Sequence, residues 1–176
     1  MNAPSAKDLA VLCETAASLY HRLVLVVGQP RSGKTPLLQA AVAANGWPLI
    51  NLNQRVSEHL LELTQRQRAL RLPRIVGDVL SSAGSEIVLV DNIELLFSPD
   101  LQQDPLKLLQ GAARNRTIVA SWPGALRGRQ LTYAEPSHPE YRRYPELDTL
   151  CLSMPGDAGP NAHAEGRPRT PCDTPT

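Results

Sequence analysis

LVLVVGQPRSGKT, residues 23–35, is the stretch on which the fold turns. Residues 23–27 are apolar without a break, as expected of a short strand covered on both faces. The residues that follow match G-x-x-x-x-G-K-[ST] in full, from Gly28 to Thr35. A helical pattern, residues 35–44, comes next and is closed by Asn45 and Gly46. Strand, glycine-bearing turn and helix in that order form a cradle for phosphate. Gly28 and Gly33 permit backbone angles that let the N–H groups of Gln29, Pro30–flanked Arg31, Ser32 and Gly33 turn inward. Lys34 reaches the β- and γ-phosphates as a point charge, and Thr35 offers a hydroxyl to Mg²⁺, a hard ion that prefers oxygen. Pro36 lacks the N–H that would extend this set, so modest nucleotide affinity is expected.

Working outward, apolar runs and helical patterns alternate. Residues 5–20 open with Ser5-x-x-Asp8, a capping-box start. Residues 49–52 read as a second strand, and 54–72 as a long helix ended by Pro73, with a shorter one at 75–80. Strands are expected at 86–90 and 117–120, a helix at 104–114, and a closing strand at 150–154. This is the order of an α/β domain with a parallel sheet sandwiched by helices. Residues 123–149 read as an irregular segment, with Trp122-Pro123-Gly124 as a turn around a packed aromatic. From Pro155 to Thr176, five of 22 residues are Pro and three Gly, with no Val, Ile, Leu, Met or aromatic residue. Such a stretch cannot bury enough apolar area to order itself, so a folded domain over 1–154 and a disordered tail over 155–176 are expected.

A second motif lies at residues 87–91, IVLVD, four apolar residues and an acid. An Asp at the carboxyl end of a buried strand suits a Mg²⁺ ligand, so Asp91 joins Thr35 as the expected metal pair. Many hydrolytic ATPases place Glu directly after that Asp, but this chain has Asn92, which cannot accept a proton. Glu94 is the nearest acid and the expected partner of Lys34 and Asp91 in catalysis. Ser121, at the end of a strand, reads equally as a γ-phosphate sensor or a plain surface cap.

Composition narrows the field. Lys+Arg 18 against Asp+Glu 17 gives +1, which advertises neither nucleic acid nor membrane and leads us to expect little DNA affinity. No run approaches the roughly 18 apolar residues of a membrane span. Cys13, Cys151 and Cys172 have no CxxC spacing and suit reduced thiols in a cytosol. The four histidines lack metal-ligand spacing. Arg66, Arg68, Arg71 and Arg74 read as a solvated helix end, and Glu58, Glu62 and Arg66 as surface pairs. Among Arg114, Arg116, Arg127, Arg129, Arg142 and Arg143 the sequence does not choose an arginine finger.

With both motifs placed, the chain resembles BrxF, the family of small P-loop proteins of type 3 BREX bacteriophage-exclusion systems. The resemblance is carried by VVGQPRSGKTPLL, WPLINLNQRVSEHLLELTQRQRALRLPR, IVLVDNIELLF and TIVASWPG. It implies a cytoplasmic bacterial protein with an AAA-type, ASCE-like P-loop fold; the expected folded part, 1–154, is too short for the full C-terminal helical lid of such ATPases. It implies ATP and Mg²⁺ as cofactors, other BREX components as partners, and Gly28, Gly33, Lys34, Thr35 and Asp91 as site residues. The expected function is an ATPase or ATP-dependent assembly switch in phage defence, with a homo-oligomer as one expected form. The alternative is a nucleotide-binding scaffold with little hydrolysis. A small-molecule kinase fits less well, because Asn51 and Asn53 stand where an acid would activate the acceptor hydroxyl.

Overall fold

The computed structural model describes residues 3–156. Most of the expected tail, with Cys172 and His163, lies outside the described residues. Five parallel strands form the central sheet in the order β2-β3-β4-β1-β7. These are β1 (Leu23–Gly28), β2 (Leu49–Asn51), β3 (Ile87–Asp91), the first half of β4 (Thr117–Arg127) and β7 (Leu150–Ser153). All of β1 is buried, as its unbroken apolar run demands. Helices α1 (Ala6–Ala16) and α2 (Lys34–Asn45) cover one face, packing Leu9, Cys13, Leu38 and Ala41 on Val24, Val26, Leu89 and Val119. Helices α3 (Leu52–Leu60), α4 (Gln65–Ser81) and α5 (Pro105–Ala112) cover the other, around Leu25, Val88, Val90 and Ile118.

Local chemistry sets the ends of several elements. Ser5 and Asp8 close a reciprocal capping box at α1, and Gly46 stops α2 with φ +71°. Helix α1 ends at Ala16, short of residue 20, which leaves Leu19 and Tyr20 exposed. Strand β7 closes the sheet beside β1, as expected.

Two expectations are overturned. The single helix over 54–72 is two helices, broken at 61–64, and Pro73 lies inside the second instead of ending it. A proline there removes the N–H that would bond the carbonyl four residues back. That carbonyl belongs to Ala69, and the Gln103 side chain donates to it at 2.9 Å. The break has a cause as well. Thr64 begins α4 with a capping box to Gln67, and Arg68 Nε bonds the Leu60 and Leu63 carbonyls at the end of α3. Arg66, Arg68 and Arg71 therefore sit in the first half of α4, where the helix dipole does not favour them, and Arg74 just past its middle. Arg68 serves a helix C-terminus, but that of α3. Glu62 lies in the break and Arg66 beyond it, so the expected helical spacing is interrupted, and the ion pair found among the described residues is Arg74–Asp78 at 3.7 Å, exposed on both sides.

Residues 123–149 are not irregular. Strand β4 continues through Trp122-Pro123-Gly124 to Arg127, turns back as β5 (Gln130–Tyr133), and pairs onward with β6 (Arg142–Tyr144), both antiparallel. The connection from β4 to β7 is thus made of strands, where a parallel crossover usually employs a helix. Four aromatics anchor it. Phe97 stacks on Tyr133 at 3.5 Å, and its edge meets buried Trp122 at 5.0 Å. Trp122 meets Tyr144 at 5.8 Å and donates its indole N–H to the Thr132 carbonyl at 3.0 Å. Gly124 is required here, because any Cβ would run into the Thr132 carbonyl oxygen.

If Gln103 compensates for Pro73, Gln103→Ala should cost about 1 kcal/mol by leaving the Ala69 carbonyl without a donor. The cost should shrink in a Pro73→Ala background, where a backbone N–H returns. Equal costs in both backgrounds, read from denaturant melts, would refute the pairing.

Burial also makes the fold sensitive to alkali. It pushes the Cys13 thiol up to about 11, with help from Glu14, and the Cys151 thiol up to about 12. Burial, then Glu140, pushes the Tyr133 phenol up to about 12. The fold disfavours these anions, so their contribution is complete below the ordinary values, about 8.5 for thiols and 10 for phenols. It is lost as pH rises, because the unfolded chain ionises first. Melting temperature in reducing buffer should fall progressively above about pH 9.

Candidate functional site

The site is built at the carboxyl ends of β1 and β3 and beside the middle of β4. Gly28 is in register with Pro123, Val26 with Ser121, and Val90 with Ala120, so Ser121 and Asp91 are neighbours. Asp91 is a buried carboxylate, only 7% exposed, and it is fully engaged. Its Oδ2 accepts from Thr35 Oγ1 at 2.6 Å. Its Oδ1 accepts from Ser121 Oγ at 2.5 Å and from the Asn92 N–H at 3.0 Å. Ser121 is 2% exposed, which excludes the surface-cap reading and makes it part of the acidic site. Three segments distant in sequence thus converge on one acid.

Of the two loop glycines, Gly33 takes the expected left-handed angle, φ +94°, and Gly28 does not. Arg31 has φ +65° and is exposed, and the Ser32 N–H is turned to the Gln29 carbonyl at 3.1 Å. The Lys34 ammonium donates to the carbonyls of Gly28 at 2.6 Å and Gln29 at 2.8 Å, spanning the loop from its far end to its start. Pro36 lies in the first turn of α2, where a proline is tolerated. A hydroxyl and a carboxylate 2.6 Å apart are hard oxygen donors, and they suit a Mg²⁺ ion that shares its remaining positions with water and phosphate. No cluster of three or more His, Cys, Asp or Glu residues fit to hold a metal occurs among the described residues.

Glu94 stands apart from this network. It opens a one-turn 3-10 helix, Glu94–Phe97, and is exposed. Its carboxylate accepts from Asn53 Nδ2 at 3.0 Å, while Asn53 Oδ1 accepts from the Leu95 N–H at 2.9 Å. Between the two acids the backbone turns at Asn92, φ +53°, whose carbonyl accepts from the Asn53 N–H at 2.8 Å. Asn53 therefore holds this turn at three points, a role that no sequence signal marked. Asn51 caps α3 by accepting from the Gln54 N–H at 3.1 Å.

Among the arginines, Arg116 bonds the Leu80 carbonyl at 3.0 Å and Arg114 lies over the Tyr20 ring. Arg129 and Arg142 donate to the Leu147 and Tyr141 carbonyls. Arg127 and Arg143 are exposed. Strand alternation puts Arg127 on the same side of β4 as Ser121, and the register through Ala125 and Thr132 puts Arg143 there too.

A phosphate-loop strand separated from the Asp91 strand by one inserted strand, all parallel, is the sheet of a P-loop NTPase, and this chain has that fold. Neither the protein-family models nor the curated proteins include a match to this chain. Solved structures similar to it include the Walker-type ATPase PABY2304 of Pyrococcus abyssi, 16% identical, with a TM-score of 0.33, covering 70% of this chain and 48% of that one. Another is AMPPCP-bound DnaA from Aquifex aeolicus, 18% identical, TM-score 0.35, covering 66% of this chain and 41% of that one. The chain thus spans about half the length or less of these two proteins. Among the described residues no helix is long and apolar enough to cross a membrane.

Arg31 occupies a left-handed conformation in which a side chain costs about 1 kcal/mol. Arg31→Gly should therefore raise the melting temperature of the protein without ligand. A lower melting temperature would mean that the arginine side chain stabilises the loop by more than that strain.

Proposed function

We propose that this protein binds ATP with Mg²⁺ and acts as a slow ATPase, used as an assembly switch in a bacterial BREX anti-phage system. The observation that carries the nucleotide reading is the bond network joining Thr35, Asp91 and Ser121 beside the phosphate loop. When bound, Mg²⁺ would supply charge neutralisation across the β- and γ-phosphates. Thr35 and Asp91 would hold it, the loop amides and Lys34 would take the phosphates, and Ser121 keeps Asp91 oriented. The sequence resemblance to BrxF supports the defence setting and the other BREX components as partners. Assembly into a homo-oligomer belongs to the same reading, as does a cytoplasmic location.

A second reading, a nucleotide-dependent scaffold, is favoured by one feature. Glu94, the acid nearest to Asp91, is tied to Asn53, and Asn92 occupies the position beside Asp91. Slow turnover follows from that arrangement, and none at all would make the scaffold the better description. DNA contact draws no support from a net charge of +1.

ATP·Mg²⁺ at a hundredfold excess over its dissociation constant should stabilise the protein by about 2.7 kcal/mol. Lys34→Ala and Asp91→Ala should lose that stabilisation while remaining folded. Glu94→Gln should keep it and lose phosphate release, measured alone and with BREX partners or DNA. A melting temperature indifferent to millimolar ATP·Mg²⁺ would end the nucleotide reading.

A further inference from the structure

The last strand of the sheet runs into the phosphate loop. Met154 follows β7 directly and is 6% exposed. Its N–H donates to the Val27 carbonyl at 2.8 Å, one residue before the loop begins. A Cβ placed on Gly28 would lie 2.8 Å from Met154 Cβ and 3.0 Å from its Cγ. A Cβ on Gly33 would lie 3.4 Å from Met154 Cε. One side chain therefore runs beneath the loop from its first glycine to its last.

We propose that Met154 is a positioning residue for the phosphate loop, and that through it nucleotide binding is coupled to the seating of the C-terminal strand. The proposal rests on the nucleotide reading above and adds to it a means of regulation. Gly28 and Gly33 have no side chains to pack; Ser32 and Lys34 brace the loop from within, and Met154 supports it from beneath. A flexible thioether fills such an irregular space well. The strand that leads into Met154 is bonded on one side: β7 is a sheet edge, paired to β1 alone. Edge elements with few partners open most easily. Ordering the loop around phosphates holds Met154 in place, and displacing β7 removes the floor from the loop. Thermodynamic reciprocity requires that each effect have the same size. Anything that displaces β7 would thereby lower nucleotide affinity without touching the nucleotide.

The test is ATP·Mg²⁺ titration calorimetry on the full chain and on the Met154→Ala and Met154→Leu variants, with hydrogen exchange of the 150–154 amides. The alanine variant should raise the dissociation constant about tenfold, within the usual range for coupled sites. Leucine, close in volume, should recover most of the affinity. ATP should slow exchange in β7 of the wild type, and that protection should shrink in the alanine variant. Should the alanine variant fail to fold, the leucine variant and wild-type exchange still decide. Equal affinities, or ATP protection confined to the loop with β7 exchange unchanged, would overturn the coupling and leave ATP binding intact. Absence of ATP binding by the wild type would instead remove the nucleotide reading and the coupling with it.

Discussion

A carboxylate buried from water must be given hydrogen-bond donors, and the arrangement around Asp91 follows from that requirement. Its donors are the Thr35 hydroxyl, the Ser121 hydroxyl and the Asn92 N–H. Thr35 lies one residue into α2, Ser121 is on β4, and Asn92 is next in the chain. These groups meet only if β4 lies between β1 and β3, with Ser121 level with the last residue of β3. The strand order and the register provide that, and the buried apolar faces of the strands hold it. Loss of one donor would leave a buried charge undersatisfied, so the site and the core of the sheet constrain each other.

What could be read from sequence was local. The phosphate loop, the Ser5–Asp8 box, the Gly46 stop and the apolar strands each declare themselves within a few residues. What could not be read depended on partners far along the chain. Pro73 reads as a helix terminator unless one knows that Gln103, thirty-four residues beyond Ala69, donates to the Ala69 carbonyl. The β4–β6 ribbon is rich in Pro, Gly and Arg, and it is tied to the rest of the domain through Phe97, which lies outside it. Ser121 was ambiguous for the same reason, since a serine at a strand end means little until the acid beside it is known. Asn53 gave no signal, because its three bonds to the turn after β3 span about forty residues.

The ribbon also bears on the site. Replacing a crossover helix by strands extends the sheet past the phosphate loop on the side where ligands of such folds bind. Arg127 and Arg143 are carried on the face of that extension that continues from Ser121. The Phe97–Tyr133 stack ties the extension to the segment that begins with Glu94, so the two flanks of the site are packed against each other. Movement of the ribbon would be felt at the turn after Asp91.

That turn explains why a glutamate at position 92 would not simply restore the usual acidic pair. Asn92 adopts φ +53°, a region that asparagine tolerates and glutamate enters at a cost of about 1 kcal/mol or more. The substitution would have to relax the turn, and the turn is pinned by the Asn53 N–H at the Asn92 carbonyl and by Asn53 Oδ1 at the Leu95 N–H. Both ties come from the first turn of α3, which packs Leu52 and Val56 into the core. The departure at position 92 is therefore a property of the backbone as much as of one side chain. The Thr35–Asp91–Ser121 half of the site is built into the sheet and the start of α2. Glu94, by contrast, is tied to α3 through Asn53, so its distance from Asp91 is set by where α3 sits.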